Sequence, residues 1–346
     1  MFKEDKDTNV NTMLDGYKLN SPVLNPIHSH DRLSSQSVGL FHQMTSNFFN
    51  EMTDDQAMSG EACTRIEHWL SQHSVEELEE LNQIAKQHFL YEGITFTVYG
   101  ESEGIERTIP YDLIPRVIAK QQWNKISLGS AQRVRALNLF LHDIYHQQDI
   151  LKAKIIPELQ VLTHEAYQPH MYEHRLKGQI YSQISGIDII RDGQGEFYVL
   201  EDNLRTPSGV SYMLENRTVM KRVFPELFAD SFIYPVDDYP HQLWRMLASL
   251  SPRPGDVPCI VLLTPGVYNS AYFEHSFLAQ QMGVELAENT DLLVQDDIVY
   301  LKTLHGLQRV DVIYRRVDDI FIDPLAFWPD SVLGIPGLIK AWAKGN

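Results

Sequence analysis

Oxygen-bearing side chains and an anion-suited turn follow one another within residues 183–209. The oxygen-bearing side chains are those of Asp188, Glu201 and Asn203. Carboxylate and amide oxygens are the ligands that a hard cation such as Mg²⁺ takes in proteins. The residues suited to an anion are Arg205, Thr206, Ser208 and Gly209. A divalent cation beside an anion-binding turn predicts a site for nucleotide phosphates.

A β-hairpin is predicted to position the three oxygen-bearing side chains. Two apolar runs flank Asp-Gly-Gln-Gly at residues 192–195, which is a strong turn signal. A loop of two or four residues would pair Arg191 with Glu196 and Asp188 with Val199. All three oxygen-bearing side chains then project from one face, whereas a three-residue loop would separate them.

Apolar side chains stand on both faces of this hairpin, so we expect both faces to be covered. Asp188 lies inside an apolar run, and a buried carboxylate is costly unless a cation or hydrogen bonds compensate it. The alternative is a solvated acidic strand end before a loop. Burial would favour the metal site over that alternative.

The whole chain bounds the classes of partner. Its 346 residues are 43% hydrophobic and 22% charged, as in an ordinary globular protein of two or three domains. A net charge of −17 argues against nucleic acid or an anionic membrane as the main partner. Two cysteines, no apolar leader and only short aliphatic runs predict a cytoplasmic protein without a membrane span.

Three regions are predicted along the chain. Residues 1–36 are polar and aperiodic, which predicts a flexible N-terminal arm. Residues 37–235 hold a helical region, including a helix over about 130–147, and the predicted metal-binding hairpin. Residues 236–346 begin with an amphipathic helix and a Pro/Gly turn, and a strand at 259–263, a tight turn and a helix then start a βαβ unit. Further strands are predicted at 284–287, 298–302 and 310–314.

Other side chains are candidates for substrate binding. In the predicted helix after Gly209, whose N-terminus favours an anion, Asn216 and Arg217 add polar and positive character. The alternative for these two residues is a solvated face. Loop residues Tyr268 and Asn269 follow a buried strand, where α/β folds often bind ligands.

Two arginines end the last predicted strand. Arg315 and Arg316 are suited to a bidentate hold on a substrate carboxylate. The alternative is that they pair with the acidic residues Asp318 and Asp319 and serve a structural purpose.

Two histidine pairs stand four residues apart. His142 and His146 are interpreted as surface histidines because no third ligand stands near them. His170 and His174 are kept as an alternative metal site, which would make the protein a metal-dependent hydrolase.

Several motifs together resemble one protein family. They are Gly93-Ile-Thr-Phe-Thr-Val-Tyr-Gly100, Tyr111-Asp-Leu-Ile-Pro-Arg116, Gly186-Ile-Asp-Ile-Ile-Arg-Asp192, the run from Val199 through Glu-Asp-Asn-Leu-Arg-Thr-Pro-Ser-Gly to Arg217, the run from Leu263 through Thr-Pro-Gly-Val-Tyr-Asn-Ser to His275, and Arg315-Arg-Val-Asp318. The chain resembles the circularly permuted ATP-grasp proteins, which are similar to glutathionylspermidine synthase. The resemblance covers nearly everything after the N-terminal arm.

This resemblance implies an α/β fold with a mixed-sheet metal-binding subdomain and a Rossmann-like pre-ATP-grasp domain. It also implies a Mg²⁺- and ATP-dependent carboxylate–amine ligase that forms an acylphosphate from a small peptide or amino-acid carboxylate and then an amide with an amine. Asp188, Glu201 and Asn203 match its metal ligands, and Arg205 would lie near the transferred phosphoryl group. Arg191, Thr206, Ser208 and Gly209 would then contact the nucleotide.

Two departures from the family pattern bear on this expectation. Gly186 stands where the related synthases carry an arginine, for which Arg191 or Arg205 is a candidate substitute. Family members also continue beyond the last residue here, Asn346, with the lysines and glycine-rich loop of the second wall of the ATP cleft. The chain is therefore expected to be incomplete, and the alternative function is a non-catalytic binding or scaffold protein.

Overall fold

The computed structural model describes residues 60–98, 105–229 and 232–346. All of them belong to one compact unit. The arm predicted at residues 1–36 lies outside the described residues. The division predicted at residue 236 stays a prediction.

Helices dominate the first half of the described chain. In order they are α1 Gly60–Ser71, α2 Val75–Tyr91, α3 Lys120–Ile144, α4 Asp149–Lys152, α5 Glu158–Leu162, α6 Val210–Val223, α7 Pro225–Ala229, α8 Tyr239–Ser249, α9 Tyr272–Met282 and α10 Leu338–Ala343. Helix α2 begins at a capping box, in which Ser74 Oγ accepts from Glu77 N and the Glu77 carboxylate accepts from Ser74 N. None of the helices in these ranges combines the length and apolarity that a bilayer crossing needs.

Helix α3 begins ten residues before its predicted start at residue 130. Its first turns carry no buried stripe, because Trp123 and Leu128 are both exposed there. The periodicity that predicts a core-facing helix is therefore missing. A side-chain cap marks the start instead, since Gln122 Oε1 accepts from Ala119 N at 3.0 Å.

The strands of the described residues form four small sheets. The strands are β1 Thr95–Val98, β2 Ile105–Thr108, β3 Gly186–Arg191, β4 Phe197–Asn203, β5 Ile260–Leu263, β6 Glu285–Ala287, β7 Leu292–Gln295, β8 Ile298–Thr303, β9 Gly306–Arg309 and β10 Val312–Arg315. Strands β1–β2 and β3–β4 are antiparallel pairs, and β7-β8-β9 is an antiparallel sheet. The remaining sheet has the strand order β10-β5-β6 and is parallel throughout, which confirms the predicted βαβ unit.

Strand β5 is buried on both faces, as expected for a parallel strand. Val261 and Leu263 pack in a cluster with residues of β8 and α10, and Ile260 and Leu262 pack in a second cluster with α8 and α9. A separate core joins α2 to α6 through Ala85, Phe89 and Val219. The carboxyl ends of β5 and β10 are thus held rigidly at one edge of the parallel sheet.

Candidate metal and nucleotide site

The β3–β4 hairpin brings the three predicted metal ligands onto one face. Asp188 is the direct partner of Glu201 across the two strands, and Gly186 is the partner of Asn203. Paired residues share a face, and Asn203 lies two residues beyond Glu201, so it shares that face too. Asn203 Nδ2 donates to Glu201 Oε1 at 3.2 Å. That bond leaves the amide oxygen of Asn203 and the second oxygen of Glu201 for a cation.

The hairpin reaches this geometry by a route that differs from the predicted one. Arg191 pairs with Phe197 and not with Glu196, so residues 192–196 form an odd loop of five. An odd loop alone would set Asp188 opposite Leu200. A β-bulge shifts the register between Asp188 and Ile189. Because of this shift, the partner of Asp188 is Glu201. The predicted Asp188–Val199 pair is therefore wrong, although the three side chains share a face as expected.

The expected cover on both faces of the hairpin is wrong. One face is half-buried and is tied to α3, where Arg133 binds both oxygens of Asp202 at 2.8 Å. The opposite face is exposed, with its three oxygen-bearing side chains and with Ile190 and Tyr198 46% and 54% exposed. The apolar pattern predicted cover because it cannot show which faces of this hairpin other segments pack against.

The donor set of this face fits Mg²⁺ completed by phosphate. Nowhere in residues 60–98, 105–229 and 232–346 do three His, Cys, Asp or Glu side chains form a metal group. Asp188 and Glu201 supply two carboxylates and Asn203 an amide oxygen, and Mg²⁺ in proteins usually takes one or two carboxylates plus waters and substrate phosphates. Asp188 is exposed, so burial does not favour the metal site over a solvated strand end, and the donor set alone supports it. These three residues would hold the cation on an open, solvated face.

The alternative histidine metal site is not assembled. His170 lies edge-on to the ring of Phe327 at 5.6 Å, and His174 lies 4.1 Å from the ring of Trp342. His142 and His146 stack at 4.2 Å and are half-buried, not on the surface as interpreted from the sequence. The described residues therefore do not assemble the histidine metal site on which the hydrolase alternative depends.

The N-terminus of α6 already holds an anion, and that anion belongs to the chain. Glu274 Oε2 accepts from Gly209 N at 2.7 Å, from Ser211 N at 3.0 Å and from Ser211 Oγ at 2.9 Å. A carboxylate at a helix N-terminus is favoured for the same reason as a phosphate. The backbone N–H of Gly209, predicted to bind the nucleotide, is thus used internally.

The two arginines at the end of β10 also have internal partners. Arg316 is buried, and its guanidinium donates to Pro207 O at 2.7 Å and lies 3.3 Å from Glu274 Oε1. Arg315 pairs with Asp319 and donates to Val317 O at 2.8 Å. The structure therefore favours the alternative with acidic partners over a hold on a substrate carboxylate, and for Arg316 the partner is Glu274.

The remaining anion-suited residues differ in their availability. Arg205 is 63% exposed at its side chain and lies 3.1 Å from Asp318, itself exposed at the end of the β10 segment. Thr206 is half-buried and Ser208 is exposed. Arg191 Nε donates to Gly195 O at 2.9 Å, and its guanidinium lies 4.7 Å from the Phe197 ring, so it closes the hairpin loop.

The other candidate substrate residues are spread around this turn. Asn216 is half-buried in α6, and Arg217 donates to Tyr234 O at 3.2 Å, about 10 Å along the helix from its N-terminus. Tyr268 is 87% exposed in the loop after β5. Asn269 Oδ1 accepts from Ala271 N at 2.9 Å and shapes that loop. The structure does not bring Arg217 to the turn after β4.

Sequence reasoning missed Glu274 and His275, two neighbours in the first turn of α9. Both are buried, and His275 Nδ1 lies 2.9 Å from Thr264 Oγ at the end of β5. Burial, aided by the charge of Arg316, lowers the pKa of His275 to about 3, so the ring is neutral at neutral pH. A charged residue inside the aromatic run Tyr-Phe-Glu-His-Ser-Phe was the available signal, because such a side chain needs a buried partner.

Gly186, where the resemblance led us to expect an arginine, lies against the turn after β4. A Cβ built at this residue would lie 2.8 Å from Pro207 Cβ and 3.5 Å from Asn203 Cβ. No side chain fits there while Pro207 keeps its place. The close approach seats the turn after β4 directly on the start of β3.

Two curated relatives show what this chain is similar to. A protein of Synechocystis sp. with no assigned function is 46% identical over 300 residues, which is 87% of this chain and 62% of that protein. A putative glutamate–cysteine ligase of Frankia casuarinae is 42% identical over 254 residues, which is 72% of this chain and 29% of that protein. The chain thus spans less than two thirds of the length of these relatives.

A solved structure of a glutathione synthetase-like effector from Globodera pallida is 13% identical, with a TM-score of 0.45 over 78% of this chain and 64% of that chain. That likeness is too weak to carry an argument. The family model for circularly permuted ATP-grasp type 2 matches residues 115–346, which is more than half of the chain and contains the hairpin, the turn and the parallel sheet. The chain therefore belongs to the circularly permuted ATP-grasp type 2 family.

Proposed function

We propose that the protein is an ATP-dependent carboxylate–amine ligase that binds Mg²⁺-ATP at the exposed face of the β3–β4 hairpin. The observation that carries this proposal is the cluster of Asp188, Glu201 and Asn203, which ends at a turn bearing Arg205. Its family and the name of the Frankia relative support the reaction class. Small amino-acid or peptide carboxylates and amines are the proposed substrates.

The chemistry divides between the cation and the residues of the turn. Bound Mg²⁺ would neutralise charge on the phosphate oxygens, which phosphoryl transfer requires. The substrate carboxylate oxygen attacks the γ-phosphorus of ATP, ADP leaves, and the amine nitrogen then displaces phosphate from the acylphosphate and loses a proton. Arg205 would bind the transferred phosphoryl group. Its bond to Asp318 uses one N–H donor and leaves the others of the guanidinium for phosphate oxygens.

Two adjacent carboxylates make a matched test of the metal assignment. Glu201 and Asp202 are neighbours on opposite faces of β4, and Asp202 is bonded to Arg133. Calorimetry with Mg²⁺ and ATP is expected to show at least about a tenfold loss of affinity, or 1.4 kcal/mol, for Glu201→Gln and for Asn203→Ala. Asp202→Asn is the control and is expected to bind as the wild type does. Equal affinity in all variants would refute the metal site.

A second candidate is a binding protein that retains nucleotide without turnover. It is favoured by the N-terminus of α6, where Glu274 occupies the position that a phosphate would take. Phosphate release in the presence of Mg²⁺-ATP and a panel of amino-acid carboxylates and amines separates the two. Release that depends on both substrates would exclude the second candidate.

A further inference from the structure

The two carboxylate oxygens of Glu274 bind different parts of the fold. Oε2 accepts the N-terminal N–H groups of α6, and Oε1 faces the guanidinium of Arg316. The side chains of Glu274 and Arg316 are 1% and 2% exposed. One buried ion pair therefore joins the first turn of α9 to the start of α6 and to the end of β10.

Arg316 extends this link to the turn after β4. Its Nη1 donates to Pro207 O at 2.7 Å and also lies 3.1 Å from Tyr314 Oη, while its own backbone N donates to Leu263 O at 2.8 Å. Arg316 is thus fixed at the carboxyl edge of the parallel sheet and holds Pro207 from there.

Pro207 passes the constraint on to the hairpin. The close approach of Pro207 to Gly186 fixes the turn against β3, opposite Asn203. Arg205 lies in the same turn, two residues earlier, and reaches back to Asp318 on the segment after β10. The turn therefore has contacts to the parallel sheet at both Arg205 and Pro207.

Stability alone is a poor explanation for this ion pair. Arg316 Nε is buried without a hydrogen-bond partner, so one donor of the guanidinium is desolvated and unmet. Buried ion pairs are often replaceable by apolar side chains without loss of stability. What an apolar pair would not supply is the directed bonds to Pro207 O and to the N-terminus of α6.

We propose that Glu274 and Arg316 are positioning residues that fix the turn Leu204–Ser208 and thereby aim Arg205 at the phosphates, and Asn203 at the cation, of bound Mg²⁺-ATP. The part that concerns phosphate rests on the proposed function. The fixing of the turn does not, because it is a property of the unliganded protein.

An arginine-to-lysine exchange tests this while keeping the charge. In Arg316→Lys a single ammonium cannot bridge Pro207 O and Glu274 together with the geometry of a guanidinium. Arg253→Lys is the matched control, because Arg253 binds both oxygens of the buried Asp311, which also accepts Cys259 N. The Arg253–Asp311 pair lies at the amino ends of β5 and β10, whereas Arg316 lies at their carboxyl ends.

Hydrogen exchange of residues 203–211 and the affinity for Mg²⁺-ATP are measured in both variants. In Arg316→Lys we expect about tenfold faster exchange and about tenfold weaker affinity. In Arg253→Lys we expect both to change by less than about twofold, even if its unfolding midpoint falls as much as that of Arg316→Lys. Glu274→Asp, which shortens the carboxylate arm but keeps its charge, is expected to follow Arg316→Lys.

The outcomes distinguish the two claims. Unchanged exchange in Arg316→Lys overturns the fixing of the turn, even if the wild type binds Mg²⁺-ATP. Faster exchange with unchanged affinity overturns the positioning claim. A wild type that binds no Mg²⁺-ATP refutes the proposed function and with it the phosphate part, whereas the exchange result still decides whether the turn is fixed.

Discussion

Replacing Gly186 with alanine adds one methyl group where β3 meets the turn after β4. The new Cβ would lie 2.8 Å from Pro207 Cβ, whereas apolar carbons prefer about 3.5–4.0 Å, so Pro207 or the strand must move. Overpacking of this kind costs about 1–3 kcal/mol. The lower entropy of an alanine in the unfolded chain offsets about 0.4–1 kcal/mol. We expect a net loss of up to about 2.6 kcal/mol in the free energy of unfolding.

Gly129 provides the same substitution without the contact. It is exposed within α3, and a Cβ there meets no atom within 4 Å. Gly129→Ala should therefore gain up to about 1 kcal/mol, since alanine is the better helix former. Urea titrations of the two variants should shift the midpoint in opposite directions. Gly186→Ala should also weaken Mg²⁺-ATP binding, because the moved turn lies beside Asn203. A Gly186→Ala protein as stable as Gly129→Ala would refute the close packing.

Two further predictions concern pH and the covered face of the hairpin. The pKa of His275 is about 3 in the folded protein and near 6.5 in the unfolded chain, which therefore binds a proton first as the pH falls. The contribution of neutral His275 to the free energy of unfolding should be fully present above pH 6.5. It should fall between pH 6.5 and pH 3 by up to about 1.4 kcal/mol per pH unit. Denaturant titrations between pH 7 and 4.5 should show that the free energy of unfolding falls less steeply with pH in His275→Gln than in the wild type. Separately, Arg133→Gln should speed hydrogen exchange in β4 while leaving Mg²⁺-ATP affinity near the wild-type value, and a large loss of affinity would contradict the assignment of faces.

The side-chain types at the site were predictable because the chemistry selects them. Asp188, Glu201 and Asn203 could be chosen from the sequence as oxygen ligands, and the strand period predicted their common face. The register that produces it could not be predicted, because a bulge at Leu200 leaves no mark in an apolar run. The odd loop and the bulge compensate each other, so a correct face followed from an incorrect pairing.

Whether a strand is buried was harder to predict than where the strand lies in the sequence. The run Cys259–Leu263 is uniformly apolar and lies in a strand covered on both faces, as expected. Ile190 and Tyr198 also belong to apolar runs, one in each strand of the hairpin, and they are exposed. The difference lies in what packs against each strand, and that depends on contacts between segments far apart in the chain.

Glu274 shows the same limit for charge. The sequence correctly predicted that the N-terminus of α6 attracts an anion, but not whether a ligand or the protein supplies it. Because Glu274 fills that position, the phosphate contacts that the described residues supply at the proposed site would come from the cation and from Arg205 and its neighbours in the turn. The orientation of the turn then decides affinity more than the helix dipole does. The residues that control that orientation, Glu274 and Arg316, lie in the interior behind the turn, whereas the proposed ligands lie on the exposed face.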